Sequence, residues 1–187
     1  MITQIFSQNC IKIITLFSLA PGSRYNRKQI KEKVYMNNIP LDNSLLRLVR
    51  SGILHREKNY YSIDHVNENS KKILDICSKE FKQLKELPLN VYYILMDLSD
   101  YFSAAKGVEL VLFGSYSKLT YSIKSDIDIA MIYIKRPDRG KIDAFVSKLK
   151  KTYNKNLEIH YFEKKPFYKN KKDPLVKSIL RDGVRIV

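Results

Sequence analysis

The sequence is poor in glycine, proline and cysteine, and each deficit excludes a class of protein. Six Gly and six Pro in 187 residues rule out collagen-like and low-complexity chains. The two cysteines, Cys10 and Cys77, fit neither a metal-binding spacing nor a disulfide framework, which is typical of a reducing compartment. The apolar stretch of residues 11–20 is interrupted by Lys12 and is shorter than the roughly 20 residues of a membrane span. We therefore expect a globular, cytoplasmic protein that neither spans nor binds a membrane.

Acidic residues are scarce relative to basic ones. The chain has 34 Lys and Arg against 19 Asp and Glu, so its formal net charge is +15. A field of this sign attracts polyanions, which favours nucleic acid, a nucleotide or an acidic protein as partner. A lysine-rich surface of the kind common in thermophiles is the alternative that composition leaves open. The hydrophobic fraction of 44% is enough for the core of one ordinary domain or two small ones.

The first 64 residues have the pattern of three helices followed by a hairpin. Asn26 is placed to cap the second helix, Pro40 is expected to break the chain before the third, and Ser51 follows the third. Residues 53–63 are β-forming on both sides of a polar tip, as in a hairpin. This order resembles the winged helix-turn-helix domain. The resemblance implies a DNA-binding domain over residues 1–64.

The third predicted helix carries polar and basic residues beside its apolar stripe of Leu45, Leu48 and Val49. Residues 22–58 contain nine Lys or Arg and three acidic residues. The residues expected to contact DNA are Asn43, Ser44, Arg47 and Arg50 on the helix, with Arg56 and Lys58 in the hairpin. A packing or dimerisation module with a solvated basic face is the alternative. By analogy with winged helices, a homodimer is a further expectation.

The rest of the chain reads as helices followed by an alternation of strands and helices. Two apolar periodicities within residues 65–105 predict helices on either side of Pro88. We place a connecting helix at 65–88 and a C-terminal domain at 89–187. Within that domain the expected elements are strands at 108–113, 127–134 and 157–162 and helices at 142–149 and 175–180. This order predicts an α/β (α+β) fold with a small mixed β-sheet.

The most informative residues lie between the first two of these strands. The first strand ends in Gly114 and Ser115, ten residues intervene, and the second strand opens with Asp126 and Asp128. Period-two alternation puts both carboxylates on one face, where they repel each other unless a cation lies between them. Mg²⁺ takes oxygen ligands and keeps positions open for phosphate oxygens. Because glycine lets a phosphate approach the backbone and Ser115 lies at an expected helix start, the pattern predicts a metal-bound nucleoside triphosphate.

The segment GSYSKLTYSIKSDIDIAMIY resembles the signature of the minimal nucleotidyltransferases, within the DNA polymerase beta-like superfamily. The likeness extends from Val91 to the end of the chain. It implies that the Gly-Ser turn holds phosphates, that two acids bind metal and that a third acid on a neighbouring strand completes the site. The residues it assigns are Gly114, Ser115, Lys118 and Ser125 for the nucleotide, and Asp126, Asp128 and Glu158 for two Mg²⁺ ions and catalysis. The implied substrate is an NTP, with ATP as the expected donor.

Three residues in or after this signature, Leu119, Asp143 and His160, differ from the pattern or compete with its assignments. Leu119 stands where the family usually has glycine, and this constrains the backbone of the turn. Asp143 is the rival for the third acid, but its position on a helix next to an apolar residue predicts that it faces solvent. Glu158 lies on a strand face with His160. Because no second His or Cys stands at ligand spacing, we expect an ordinary polar or packing role for His160.

The sequence therefore predicts a Mg²⁺-dependent nucleotidyltransferase that moves a nucleoside monophosphate to an acceptor hydroxyl of a protein or nucleic acid, with a DNA-binding N-terminal domain. Two alternatives stay open. One is a DNA-binding transcriptional regulator whose nucleotidyltransferase domain senses nucleotide without catalysis. The other is an antitoxin that adenylylates a partner toxin. No motif encodes the acceptor.

Overall fold

The computed structural model describes residues 7–83 and 87–187. The first six residues of the predicted N-terminal domain and residues 84–86 of the predicted connecting helix lie outside this range. The chain divides into two compact units, Met1–Glu86 and Leu87–Val187, called here the N-terminal and the C-terminal unit. Each has helices and a small sheet, as an α+β fold requires. Within the described residues no helix is both long and apolar enough to cross a membrane.

The N-terminal unit contains the three helices and the hairpin that its sequence predicts, one short strand in addition, and a fourth helix within the stretch 65–88 where the sequence predicts a connecting helix. In chain order its elements are α1 (Gln8–Leu19), β1 (Tyr25–Asn26), α2 (Arg27–Val34), α3 (Asn38–Arg50), β2 (Leu54–Glu57), β3 (Tyr60–Ile63) and α4 (Glu68–Gln83). The strands form an antiparallel sheet in the order β1-β3-β2. Helix α1 contacts α2, α3 and α4, and its Ile13 and Phe17 are fully buried in the core.

Local chemistry explains where α2 and α3 begin. The Asn26 side chain accepts a hydrogen bond from the Gln29 N–H, and the Gln29 side chain accepts one from the Asn26 N–H, so the predicted cap is confirmed as a capping box. The prediction that Pro40 breaks the chain before α3 is wrong, because α3 begins at Asn38. Pro40 lies in the first turn, where backbone N–H groups have no partner within the helix and proline loses nothing.

The C-terminal unit is built on one four-stranded sheet. Its elements are α5 (Leu89–Phe102), β4 (Val108–Phe113), α6 (Gly114–Ser117), β5 (Ile127–Tyr133), α7 (Arg139–Tyr153), β6 (Leu157–Glu163), α8 (Lys164–Lys169), α9 (Pro174–Asp182) and β7 (Val184–Arg185). The sheet order is β6-β5-β4-β7. Strands β5 and β6 are parallel and the other pairs are antiparallel, so the predicted mixed sheet is present.

Periodicity located α7 correctly but underestimated its length. The helix extends beyond the predicted 142–149 at both ends, to Arg139 and Tyr153. Asp138 caps it by accepting a hydrogen bond from the Lys141 N–H, and Asn154 ends it in the left-handed conformation. The N-terminal end is polar, so the apolar pattern could not reveal it, whereas at the C-terminal end Tyr153 continues the buried stripe of Ile142, Val146 and Leu149. The helix forms the crossover between the parallel strands β5 and β6.

One face of this sheet is covered along most of β5 and open at one end. Ala130 and Ile132 are buried there against Phe167 of α8 and against α9. Asp128 shares the face by alternation along the strand. Its side chain is 26% exposed, because it lies at the end that these helices leave open. The open end of the sheet face is where the candidate site lies.

Candidate active site

Strand register brings the acids of β5 and β6 together. In the parallel pair, Asp128 lies opposite Glu158 and Ala130 lies opposite His160. Phe113, the last residue of β4, pairs with Asp128 from the other side. Partners in register point to the same face of a sheet, so Asp128 is flanked by Glu158 and Phe113.

Asp128, Glu158 and His160 form a compact group of ligand-type side chains. One ligand atom from each lies within 4.8 Å of the others. The Nε2 atom of His160 is 3.6 Å from Oδ1 of Asp128 and 3.8 Å from Oε2 of Glu158. This nitrogen is enclosed by protein and has no hydrogen-bond partner among the described residues. The imidazole packs edge-on against the Phe113 ring, with 5.1 Å between centroids, which limits how the ring can turn.

The sequence interpretation missed His160 as a member of this group. A metal-ligand role for His160 was judged by whether a second His or Cys stood at ligand spacing along the chain. The neighbours of His160 are instead the carboxylates of Glu158 and, on the adjacent strand, Asp128. Alternation already placed His160 on the face of Glu158. The further fact needed was the parallel register that sets Asp128 beside them, and register between strands is a tertiary property. Asp143 is exposed on α7, as its helix position predicted.

Gly114 lies directly beneath the Asp128 carboxylate. Its φ is +76°, and a Cβ added at this position would collide with Oδ2 of Asp128. Glycine is therefore required here for two reasons, the left-handed backbone and the close approach of the carboxylate. The turn and the acid form one structural unit.

The electrostatics of Asp128 reflect its surroundings. Burial raises the pKa of its carboxyl above the ordinary value. The neighbouring His160 opposes this rise, whereas the charges of Glu158 and Asp126 add to it. Two like charges near a half-buried carboxylate destabilise its ionised form, and a bound divalent cation would relieve that repulsion.

Asp126 lies outside the compact group. It stands one residue before β5, and it is close enough for its charge to raise the pKa of Asp128. With Ser125 it lines a cleft of about 240 Å³ whose other walls include the lysines Lys124, Lys150 and Lys155. The two predicted metal-binding aspartates thus differ in setting, because Asp128 faces Glu158 and His160 while Asp126 faces a basic cleft.

The remaining residues assigned to the nucleotide lie around the turn. Ser115 is half-buried in the short helix α6, which begins at Gly114. Lys118 makes an exposed ion pair with Asp182, 3.5 Å away. The hydroxyl of Ser125 accepts a hydrogen bond from the Ser122 N–H at 2.8 Å.

Leu119 has a φ of +58°, so it adopts the left-handed conformation although it has a side chain. The turn keeps the backbone shape that glycine would take at this position, at a conformational cost of about 1–2 kcal/mol.

The donor set fits a divalent cation. It offers two carboxylates from neighbouring strands, an imidazole nitrogen without a hydrogen-bond partner among the described residues, and Asp126 nearby. Carboxylate oxygen suits Mg²⁺ and Mn²⁺. The open end of the sheet face leaves room for further ligands such as phosphate oxygens.

The residues predicted to contact DNA are all exposed except one. Asn43, Arg47 and Arg50 line a shallow cleft of about 400 Å³ on α3, together with Leu46. The prediction that Ser44 is free to reach DNA is wrong. Its side chain is 3% exposed, and its hydroxyl donates a hydrogen bond to the Pro40 carbonyl at 2.7 Å.

The error arose because Ser44 belongs to the buried stripe of α3, which consists of Leu41, Ser44, Leu45 and Leu48, whereas Val49 is only half-buried. A serine satisfies its hydroxyl on the preceding turn and so can occupy a buried helix position. In the hairpin, Arg56 lies over the Tyr61 ring and donates a hydrogen bond to the Lys58 carbonyl, and Lys58 is exposed at the tip.

Comparison with known proteins bears on the C-terminal unit. No curated protein matches the chain. Residues 91–186 match the family model of the nucleotidyltransferase domain, and this segment is about half of the chain. It contains the Gly-Ser turn, both aspartates and Glu158, so the predicted nucleotidyltransferase resemblance is confirmed for this part. The chain belongs to the nucleotidyltransferase domain family.

Proposed function

We propose that the protein is a Mg²⁺-dependent enzyme that moves a nucleoside monophosphate from an NTP, with ATP as the expected donor, to an acceptor hydroxyl of a protein or nucleic acid. Family membership supports the general reaction, nucleotidyl transfer from an NTP. The observation that carries the finer proposal is the register of Asp128 with Glu158 above Gly114. It sets two carboxylates and the glycine turn at one open end of the sheet.

In this proposal the Gly-Ser turn contacts the phosphates of the NTP, and the acidic residues bind the metal ions and the acceptor. Gly114 and Ser115 accommodate the β and γ phosphates, with Lys118 and Ser125 nearby. Asp126 and Asp128 hold the divalent ions, which when bound neutralise phosphate charge and align the reacting groups. Glu158, whose side chain is 55% exposed, faces the acceptor and helps to hold or activate its hydroxyl. The hydroxyl oxygen bonds to the α-phosphorus as the bond to pyrophosphate breaks, and the hydroxyl proton is released.

The exposed ion pair of Lys118 with Asp182 does not prevent such a role. Ion pairs between solvent-exposed side chains contribute about 0–1 kcal/mol, so the lysine can exchange its partner for a phosphate. Arg181 also pairs with Asp182 and lowers the pKa of that carboxyl to about 2. Asp182 therefore keeps a cationic partner when Lys118 turns to the nucleotide.

The test of the reaction is transfer of label. Purified protein is incubated with Mg²⁺, α-labelled ATP and cell extract, and labelled macromolecules and released pyrophosphate are measured. We expect label on one class of macromolecule, and no label with the Asp126→Asn/Asp128→Asn variant. Labelling of one partner protein would identify the antitoxin alternative. Tight ATP binding without pyrophosphate release from any extract would favour the nucleotide-sensing regulator.

We further propose that the N-terminal unit binds duplex DNA. The support is the group of exposed residues on α3 (Asn43, Arg47 and Arg50) with the hairpin β2–β3 and its basic residues following in the chain. A helix with two arginines has the charge and the width to enter a major groove. Duplex binding by the full chain, measured by fluorescence anisotropy at several salt concentrations, tests this proposal.

A further inference from the structure

The donor atoms at the open end of the sheet are not all oxygen. Beside the carboxylates of Asp128 and Glu158 lies Nε2 of His160, 3.6 and 3.8 Å from their nearer oxygens. It points between two acids and has no hydrogen-bond partner within residues 7–83 and 87–187. The edge contact with Phe113 limits rotation of the ring. One ligand atom of each of the three side chains lies within 4.8 Å of the others, so the three can ligate the same cation.

The imidazole nitrogen distinguishes between Mg²⁺ and Mn²⁺, two divalent ions that both bind carboxylate oxygens. Mg²⁺ is a hard ion that is bound through oxygen and keeps much of its water. An imidazole nitrogen is instead a good ligand for first-row transition ions. Of these, Mn²⁺ also accepts carboxylate and phosphate oxygens readily. A donor set of two carboxylates and one imidazole is therefore better matched to Mn²⁺ than to Mg²⁺.

We propose that His160 is a nitrogen ligand of the divalent ion on the Glu158 side of the site, and that it makes the protein select Mn²⁺ over Mg²⁺. The inference rests on the proposed function because it requires a metal ion between Asp128 and Glu158. It differs from the oxygen-only set of Asp126, Asp128 and Glu158 that the sequence predicts. The rival role is a protonated His160 that neutralises the two acids, which would exclude a metal from the nitrogen.

The test measures metal binding directly, without reference to transfer. The full chain is titrated with Mn²⁺ at about pH 8, and bound Mn²⁺ is followed by electron paramagnetic resonance. Mg²⁺ is then added as competitor. We expect Mn²⁺ to bind more tightly than Mg²⁺ and to show hyperfine coupling to a nitrogen nucleus.

Substitutions separate ligation from packing. His160→Gln should weaken Mn²⁺ binding by about 10–100-fold or more and abolish the nitrogen coupling, since even a residue that only orients a ligand contributes that much to metal affinity. His160→Asp should restore binding through oxygen but lose both the coupling and the preference for Mn²⁺. His55→Gln, which changes an exposed histidine of β2, is the matched control and should change neither.

Nitrogen coupling that persists in His160→Gln, or Mn²⁺ bound without any coupling in the parent, would overturn the inference. Different results would contradict the proposed function. If ATP and Mg²⁺ bind and label is transferred while the coupling is absent, only the role of His160 is wrong. If no divalent ion binds in the presence of ATP, the metal site fails and His160 has no ion to ligate.

Discussion

The two units place their candidate sites on different kinds of scaffold. The C-terminal unit draws its acids from β5 and β6, two strands that the whole of α7 separates along the chain. The N-terminal unit presents three of its candidate DNA-contacting residues, Asn43, Arg47 and Arg50, along the single helix α3. A site on one helix depends on a 3.6-residue period, whereas a site across two strands depends on their pairing. In the first kind, a prediction can be wrong at one position, as it was for Ser44, and still hold for the others, whereas the second kind is lost if the register changes.

The largest expected effect is on the strand-built site. In Asp126→Asn/Asp128→Asn, binding of Mg·ATP should be abolished, because neutral amides cannot hold the cation at the triphosphate. Isothermal titration calorimetry measures the affinity for Mg·ATP. The matched control is Asp138→Asn/Asp143→Asn, which makes the same charge change at two exposed acids of the same unit and should bind as the parent does. Undiminished binding by the first variant would place the site elsewhere.

The next effect separates binding from transfer at the same site. Glu158→Gln should keep ATP binding, since Asp126 and Asp128 remain, but should slow transfer by about 100-fold, on the order of 3 kcal/mol in the barrier. Single-turnover measurement with an identified acceptor tests this. Asp143→Asn should have the parental rate. Equal rates for Glu158→Gln and the parent would remove the third acid from the mechanism.

A smaller effect is expected on the helix-built site. Arg47→Ala/Arg50→Ala should weaken DNA binding and reduce the slope of log K against log salt by about 0.9 for each phosphate that the variant no longer neutralises. Lys71→Ala/Lys72→Ala on α4 removes the same charge from exposed positions and should leave the slope unchanged. If both variants reduce the slope equally, binding follows net charge and α3 is not an interface.

The smallest effect concerns the backbone of the turn next to the strand-built site. Leu119→Gly should raise the free energy of unfolding by about 0.5–1 kcal/mol, since it removes left-handed strain but adds entropy to the unfolded chain. Urea denaturation measures the free energy of unfolding of each variant. Leu119→Ala keeps the strain and should not stabilise. If Leu119→Ala raised the free energy of unfolding and Leu119→Gly did not, the exposed side chain of Leu119, and not its positive φ, would be what lowers stability.

Much of the local structure could be predicted because its causes are local. The Asn26 cap, the bounds of β4 and the placement of Ile127 and Ile129 in the core follow from short-range chemistry and alternation. The exposure of Asn43, Arg47 and Arg50 on α3 follows from helix periodicity, whereas the burial of Ser44 does not. That exception shows the limit of periodicity, since a polar residue can be buried when its hydroxyl donates a hydrogen bond to a carbonyl one helical turn earlier, as Ser44 does to Pro40.

The amino-acid sequence by itself determined the chemical inventory of this protein: a basic chain, a Gly-Ser turn, an Asp-x-Asp strand and a Glu-x-His strand. Tertiary structure decided which of these residues meet. Parallel pairing of β5 with β6 sets Asp128 beside Glu158 and His160, and the chain path beneath them makes Gly114 indispensable. The physical reason is that alternation along a strand fixes only the face on which a residue lies, whereas the pairing of two strands separated by a helix is set by long-range hydrogen bonds and packing.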